Sequence, residues 1–68
     1  MLKTLVMEFY KENYGVVTKT GQLYEYFEEL MGDYVDEDFK HILRCYQQLL
    51  KSEGLIEHPG YNKWLMAA

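Results

Sequence analysis

Phe39-Lys40-His41-Ile42-Leu43-Arg44-Cys45-Tyr46-Gln47-Gln48-Leu49-Leu50-Lys51-Ser52-Glu53-Gly54-Leu55-Ile56-Glu57 is the stretch that decides the fold. Phe39, Ile42, Leu43, Tyr46, Leu49 and Leu50 fall on one side of a helix by the 3.6-residue period. Asp36-Glu37-Asp38 precede them, and carboxylates suit the positive end of a helix dipole. Gly54 stands where a left-handed glycine ends a helix, and Leu55 is placed to fold back on Leu50 as in a Schellman ending. The spacing predicts a helix from about Asp36 to the Gly54 junction.

Outward from this helix the pattern continues on both sides. Downstream, Leu55-Ile56-Glu57 and Lys63-Trp64-Leu65-Met66 flank the turn-forming His58-Pro59-Gly60-Tyr61-Asn62, which predicts a β-hairpin. Upstream, Leu23, Tyr26, Phe27 and Leu30 make an apolar stripe opposite Glu25, Glu28 and Glu29, with Thr20 as the expected N-cap and Gly32 to Val35 as the turn into the next helix. Leu2, Leu5, Val6 and Phe9 predict a first helix stopped at Gly15. Val16-Val17-Thr18 between these helices is β-branched and long enough only for a bridge or a brief strand.

Placing the apolar side of the third helix inward leaves Lys40, Arg44, Gln47, Gln48 and Lys51 outward, with His41 at the margin. Lysine and arginine neutralise phosphates. Arginine on guanine and glutamine on adenine are favoured major-groove pairings. A solvated polar side, which every amphipathic helix needs, explains the same residues without any ligand.

The order is helix, short strand, helix, tight turn, longer helix, hairpin. It resembles the winged-helix family, a variant of the helix-turn-helix. The apolar spacing from Phe39 to Leu50, the Ser52-Glu53-Gly54-Leu55-Ile56-Glu57 junction and the Trp64 strand carry that resemblance over nearly the whole chain. It implies one domain over residues 1–68, mostly α with a small β-hairpin, in the order α-β-α-α-β-wing-β. It also implies that the third helix is a recognition helix and that the hairpin is a wing touching the DNA backbone or minor groove through His58, Asn62 and Lys63. The function that follows is a small DNA-binding transcriptional regulator. In it Arg44, Gln47 and Gln48 read base edges while Lys40 and Lys51 hold phosphates.

Charge argues the other way. The chain carries 7 Lys and Arg against 11 Asp and Glu, a net charge of −4, and lacks the usual basic footprint of a DNA binder. In residues 34–68 the four cations Lys40, Arg44, Lys51 and Lys63 face five carboxylates, Asp36, Glu37, Asp38, Glu53 and Glu57. The first three stand at the helix end that usually enters the groove, although plain helix capping explains them better than any functional role. The alternative function is therefore a winged-helix module that binds a protein, as a small inhibitor or adaptor. Seven tyrosines in 68 residues exceed what so small a core can hold. Tyrosine gives large contact area with little lost rotamer freedom. Tyr10 and Tyr14 on the first helix are the candidates for a partner or homodimer surface, and a homodimer would also double a weak set of DNA contacts.

The remaining composition sets bounds. A chain of 68 residues buries roughly 60% of its unfolded surface on folding, which leaves no room for an enclosed catalytic pocket. An apolar share of 49% is that of a globular chain. No apolar run approaches the roughly 18 residues of a membrane span, and Met1-Leu2-Lys3-Thr4-Leu5 lacks the pattern of a signal peptide. An intracellular, cytoplasmic protein is expected. Cys45 is the sole cysteine. With His41 four residues earlier it offers two metal ligands or a thiol–base pair, without a third partner at a recognised spacing. No phosphate-binding loop or nucleophile motif is present. The expectation is a non-enzyme without cofactor or metal.

Overall fold

The computed structural model of the chain describes residues 1–67. Helix α1 spans Leu2–Glu12, α2 spans Thr20–Met31, a 3-10 turn covers Gly32–Tyr34, and α3 spans Glu37–Ser52. Strands β1, Glu57–Gly60, and β2, Lys63–Leu65, close the chain as an antiparallel hairpin. The three helices pack round one core of Val6, Phe9, Tyr10, Leu23, Phe27 and Leu43, joined by Leu50, Ile56 and Trp64. Phe9 meets Tyr10 and Tyr26, Tyr26 meets Phe27, and Phe27 meets Phe39, all edge to face with ring centroids 5.0 to 5.7 Å apart. This aromatic series runs through all three helices, in the geometry that ring quadrupoles favour. No helix among the described residues is long and apolar enough to cross a membrane.

The strand expected between α1 and α2 does not form. Thr18 alone makes an isolated antiparallel bridge with Trp64, its N–H and C=O each bonded to the tryptophan backbone at 2.8 Å. Val16 instead donates its N–H back to Asn13 at 2.9 Å, a turn bond that takes it out of any ladder, and Val16 and Val17 stay exposed. Gly15, at φ 78°, donates to the Met66 carbonyl at 2.8 Å. The segment is thus pinned to the end of the chain at its two ends. The sheet itself has two strands, so the order with a first strand is corrected to three helices and a hairpin.

Helix α2 starts one residue away from the expected arrangement. Lys19 takes the N-cap position, and its N–H is held by the Gln22 side chain at 2.8 Å. Thr20 is the first helical residue, and its hydroxyl turns inward to accept from the Trp64 indole at 3.1 Å. Leu30, expected in the apolar stripe, is 56% exposed. The row Leu23–Phe27–Met31 continues by steps of four onto the core, and Leu30 lies beside that row.

Helix α3 opens as its acids foretell, with Asp36 Oδ1 accepting the Phe39 N–H at 2.9 Å. It closes in a Schellman motif: Leu55 N–H bonds to the Leu50 carbonyl at 2.9 Å and Gly54 N–H to that of Lys51 at 3.0 Å, with Gly54 at φ 77°. Between these ends the buried side is rotated from the apolar one. Ile42 and Leu49 are 42% and 40% exposed, while Gln47 is 1% exposed. The row Phe39–Leu43–Gln47–Leu50 faces inward because the Gln47 amide finds partners there. Its Nε2 donates to the Tyr10 hydroxyl at 2.9 Å and to Thr20 Oγ1 at 3.4 Å. A satisfied amide removes the main cost of burying it. Tyr10 is correspondingly buried, at 1% exposure, and does not belong to an outer surface. It lies one helical turn beyond Val6, and Gln47 answers the need of its hydroxyl.

The hairpin turn is tighter than expected. His58, Pro59 and Gly60 belong to β1, and only Tyr61 and Asn62 form the loop, with Asn62 at φ 55°. Pro59 is tolerated because β1 is an edge strand. β1 uses one more residue than β2 between the pairs Glu57–Leu65 and Gly60–Lys63, which is a bulge.

Candidate nucleic-acid interface

The hairpin is docked on α2 by one hydrogen bond that fixes the site. Asn62 Oδ1 accepts the Thr20 N–H at 3.0 Å, so a turn residue satisfies one of the free donors at a helix start. Between the hairpin, the first turns of α2 and the middle of α3 lies an open cleft of about 480 Å³. Its floor is made by the buried Trp64 and Gln47 with Thr20. Tyr24 of α2, Arg44 of α3 and His58 and Tyr61 of the hairpin also line the cleft.

Of the residues expected on the outer side of α3, His41, Arg44, Gln48 and Lys51 are exposed. Arg44 Nη1 donates to the Tyr24 hydroxyl at 2.7 Å. That bond raises its pKa above the ordinary arginine value against an opposing desolvation, with the fields of Tyr24, Glu37 and Cys45 adding to the rise. Lys40 is half-buried. Its Nζ lies 3.8 Å from Glu37 Oε1 and 5.3 Å from the ring centroid of Tyr24, within cation–π range. Gln47 is corrected from an outward base reader to part of the floor. Its amide is already engaged with Tyr10 and Thr20.

On the hairpin, Lys63 is exposed, while Asn62 has its carbonyl oxygen on Thr20. His58 does not point to the outside as a wing contact would. Its ring stacks on Trp64 at 3.9 Å and 1° between planes, and its Nε2 is buried without a hydrogen-bond partner among the described residues. Tyr14 is exposed. His41 Nε2 and Cys45 Sγ are 3.7 Å apart on the surface of α3. No group of three His, Cys, Asp or Glu suited to a metal ion occurs among the described residues.

The cations are unevenly distributed. Arg44 lines the cleft, Lys19 and Lys63 adjoin lining residues in the chain, and Lys40 and Lys51 lie one to two turns either side of Arg44 on α3. Together they are five of the chain's 7 Lys and Arg. Lys3 and Lys11 belong to α1 and pair with Glu53 and Glu8. Two acids, Glu25 and Glu57, also adjoin lining residues. Asp36, Glu37 and Asp38 stand at the start of α3, six residues or about 9 Å along the axis from Arg44 at the nearest pairing, with Asp38.

Tyr24, Tyr61, Thr20 and Lys19 were not among the residues the sequence singles out for this site. A signal existed for Tyr61, since an aromatic residue in a Pro-Gly-Tyr-Asn turn has no core to fill. For Tyr24 the surplus of tyrosines over core space was a signal, but its role beside Arg44 depends on a partner 20 residues away. Comparison with protein-family models, curated proteins and solved structures returns no match.

Proposed function

We propose that this chain is a winged-helix DNA-binding domain serving as a small transcriptional regulator, with the middle of α3 and the β1–β2 hairpin against duplex DNA. The observation that carries this reading is the row of Lys40, Arg44 and Lys51 along one side of α3, with Arg44 lining the cleft, in a chain whose net charge is −4. Cations concentrated on one face attract phosphate whatever the net charge, because screening confines each charge to about 10 Å at 0.1 M salt. Arg44 and Gln48 are placed at base edges in the major groove, and Lys40, Lys51 and Lys63 at phosphates. The acids at the start of α3 favour docking through its middle and the hairpin over insertion of its N-terminal end.

The two roles separate by mutation. Arg44→Ala is expected to weaken binding to a selected site by about 1–3 kcal/mol and to relax one base position. Lys51→Ala is expected to weaken binding evenly across sequences and to lower the salt slope by about one unit. Equal effects of both on all sequences would remove the base-reading role of Arg44.

A second reading, a winged-helix module that docks a protein, is favoured by the exposed Val16 and Val17 beside the Thr18 bridge, with Tyr14 next to them. It requires that duplex DNA is not bound.

A further inference from the structure

We propose that the cleft between α3 and the hairpin takes one unstacked nucleobase, so that the domain binds DNA most tightly where a single base is unpaired. This rests on the DNA-binding reading and specifies what that site takes.

The floor of the cleft excludes an anion and suits a planar ring. The Trp64 indole N–H is bonded to Thr20 Oγ1, the Thr20 N–H to Asn62, and the Gln47 amide N–H to Tyr10 and Thr20. A phosphate brought onto this floor would lose its water and meet donors already engaged, a large desolvation cost without return. A base entering face-on strips no polar group of its partner. The floor is backed by the His58–Trp64 stack, already aromatic and parallel.

The rim supplies what a base needs at its face and edge. Tyr61 is 89% exposed at the hairpin tip, where its ring contributes nothing to the core, and Tyr24 of α2 also lines the cleft. Base–aromatic stacking is tolerant of base identity because every base has a π-face. The Gln48 side chain, which lines the cleft, has no hydrogen-bond partner among the described residues and offers both donor and acceptor to a base edge. Arg44 is steadied by Tyr24 at 2.7 Å and retains further N–H groups for the edge of an adjoining base. At about 480 Å³ the cleft falls in the range that holds small ligands.

The test compares four fluorescent DNA duplexes of one sequence: fully paired, with one extra adenine bulged out, with the same bulge lacking its base, and with 2-aminopurine as the bulged base. Stacking of one base predicts roughly 5- to 150-fold tighter binding of the adenine bulge than of the paired duplex. The baseless bulge, which shares the flexibility of the DNA without the ring, should bind like the paired duplex. The 2-aminopurine emission should be quenched on binding. Tyr61→Ala should erase the preference, so that the adenine bulge and the paired duplex bind that variant alike, with its melting temperature unchanged, and Gln48→Ala should reduce the preference without altering the salt slope.

Equal affinity for paired and adenine-bulged duplexes would overturn the proposal and leave the DNA-binding reading standing, as would a preference that the baseless bulge shares. A preference that survives Tyr61→Ala would overturn the placement of the base in this cleft. Failure to bind any of the four duplexes would overturn both the proposal and the reading it rests on.

Discussion

The Gln47 amide donates to the Tyr10 hydroxyl across the interior at 2.9 Å, and each residue is 1% exposed. This contact joins α1 to α3 and sets the rotation of α3 about its axis. With Gln47 inward, Arg44 and Lys40 come round onto Tyr24, and Ile42 and Leu49 turn toward solvent. One buried polar pair therefore decides which side chains border the cleft.

A double-mutant cycle measures that pair. Tyr10→Phe leaves the Gln47 amide short of its buried partner and should cost about 1–3 kcal/mol in denaturant unfolding. Gln47→Leu strands the tyrosine hydroxyl at similar cost. Replacing both removes the polar groups together, so the double variant should be more stable than the sum of the single losses predicts. Strict additivity would mean that the two side chains do not interact.

Alkali offers a second handle on the same residue. Burial pushes the Tyr10 phenol from 10.0 to about 12, against a smaller lowering by its Gln47 hydrogen bond. Between those values the unfolded chain gives up this proton before the folded one does. The stability tied to the neutral phenol is thus complete below pH 10 and lost as pH rises through about 12, an effect on the order of 2 kcal/mol. Stability measured against pH should fall less steeply in Tyr10→Phe than in the wild type over that window. Parallel curves would contradict the burial of the phenol.

The Gly54 junction is a test of backbone conformation alone. A Cβ there would meet no heavy atom within 4 Å, so any loss comes from φ 77°. Gly54→Val should lose about 1 kcal/mol or more, and Gly54→Asn distinctly less, since asparagine tolerates the left-handed region. Their melting temperatures give the comparison, and equal values for wild type and Gly54→Val would refute the Schellman ending.

The parts of the fold that are legible in the sequence are those fixed by neighbours in the chain. Asp36 capping Phe39 and the Gly54–Leu55 ending each depend on residues within one or two turns, and the pattern states them. Gln47 and Tyr10 read separately as surface residues, because each is buried only through the other, 37 positions away. Thr18 likewise finds its partner 46 positions away in Trp64, and nothing local marks it off from the exposed Val16 and Val17. The candidate site divides in the same way. Arg44, Gln48 and Lys51 follow from the helical period and Asn62 from the hairpin turn, whereas Tyr24 enters it through a contact that only the fold creates.

The most direct measurement is the binding of wild-type protein to a pool of random duplexes at about 50 mM salt, where the phosphate contribution to affinity is large. Arg44 in the cleft and Lys40 and Lys51 along the same helix predict measurable binding that weakens as salt rises. They also predict tighter binding for Glu37→Gln, which removes a carboxylate 3.8 Å from Lys40. No detectable binding by either protein would contradict the account and leave the protein-docking reading in its place.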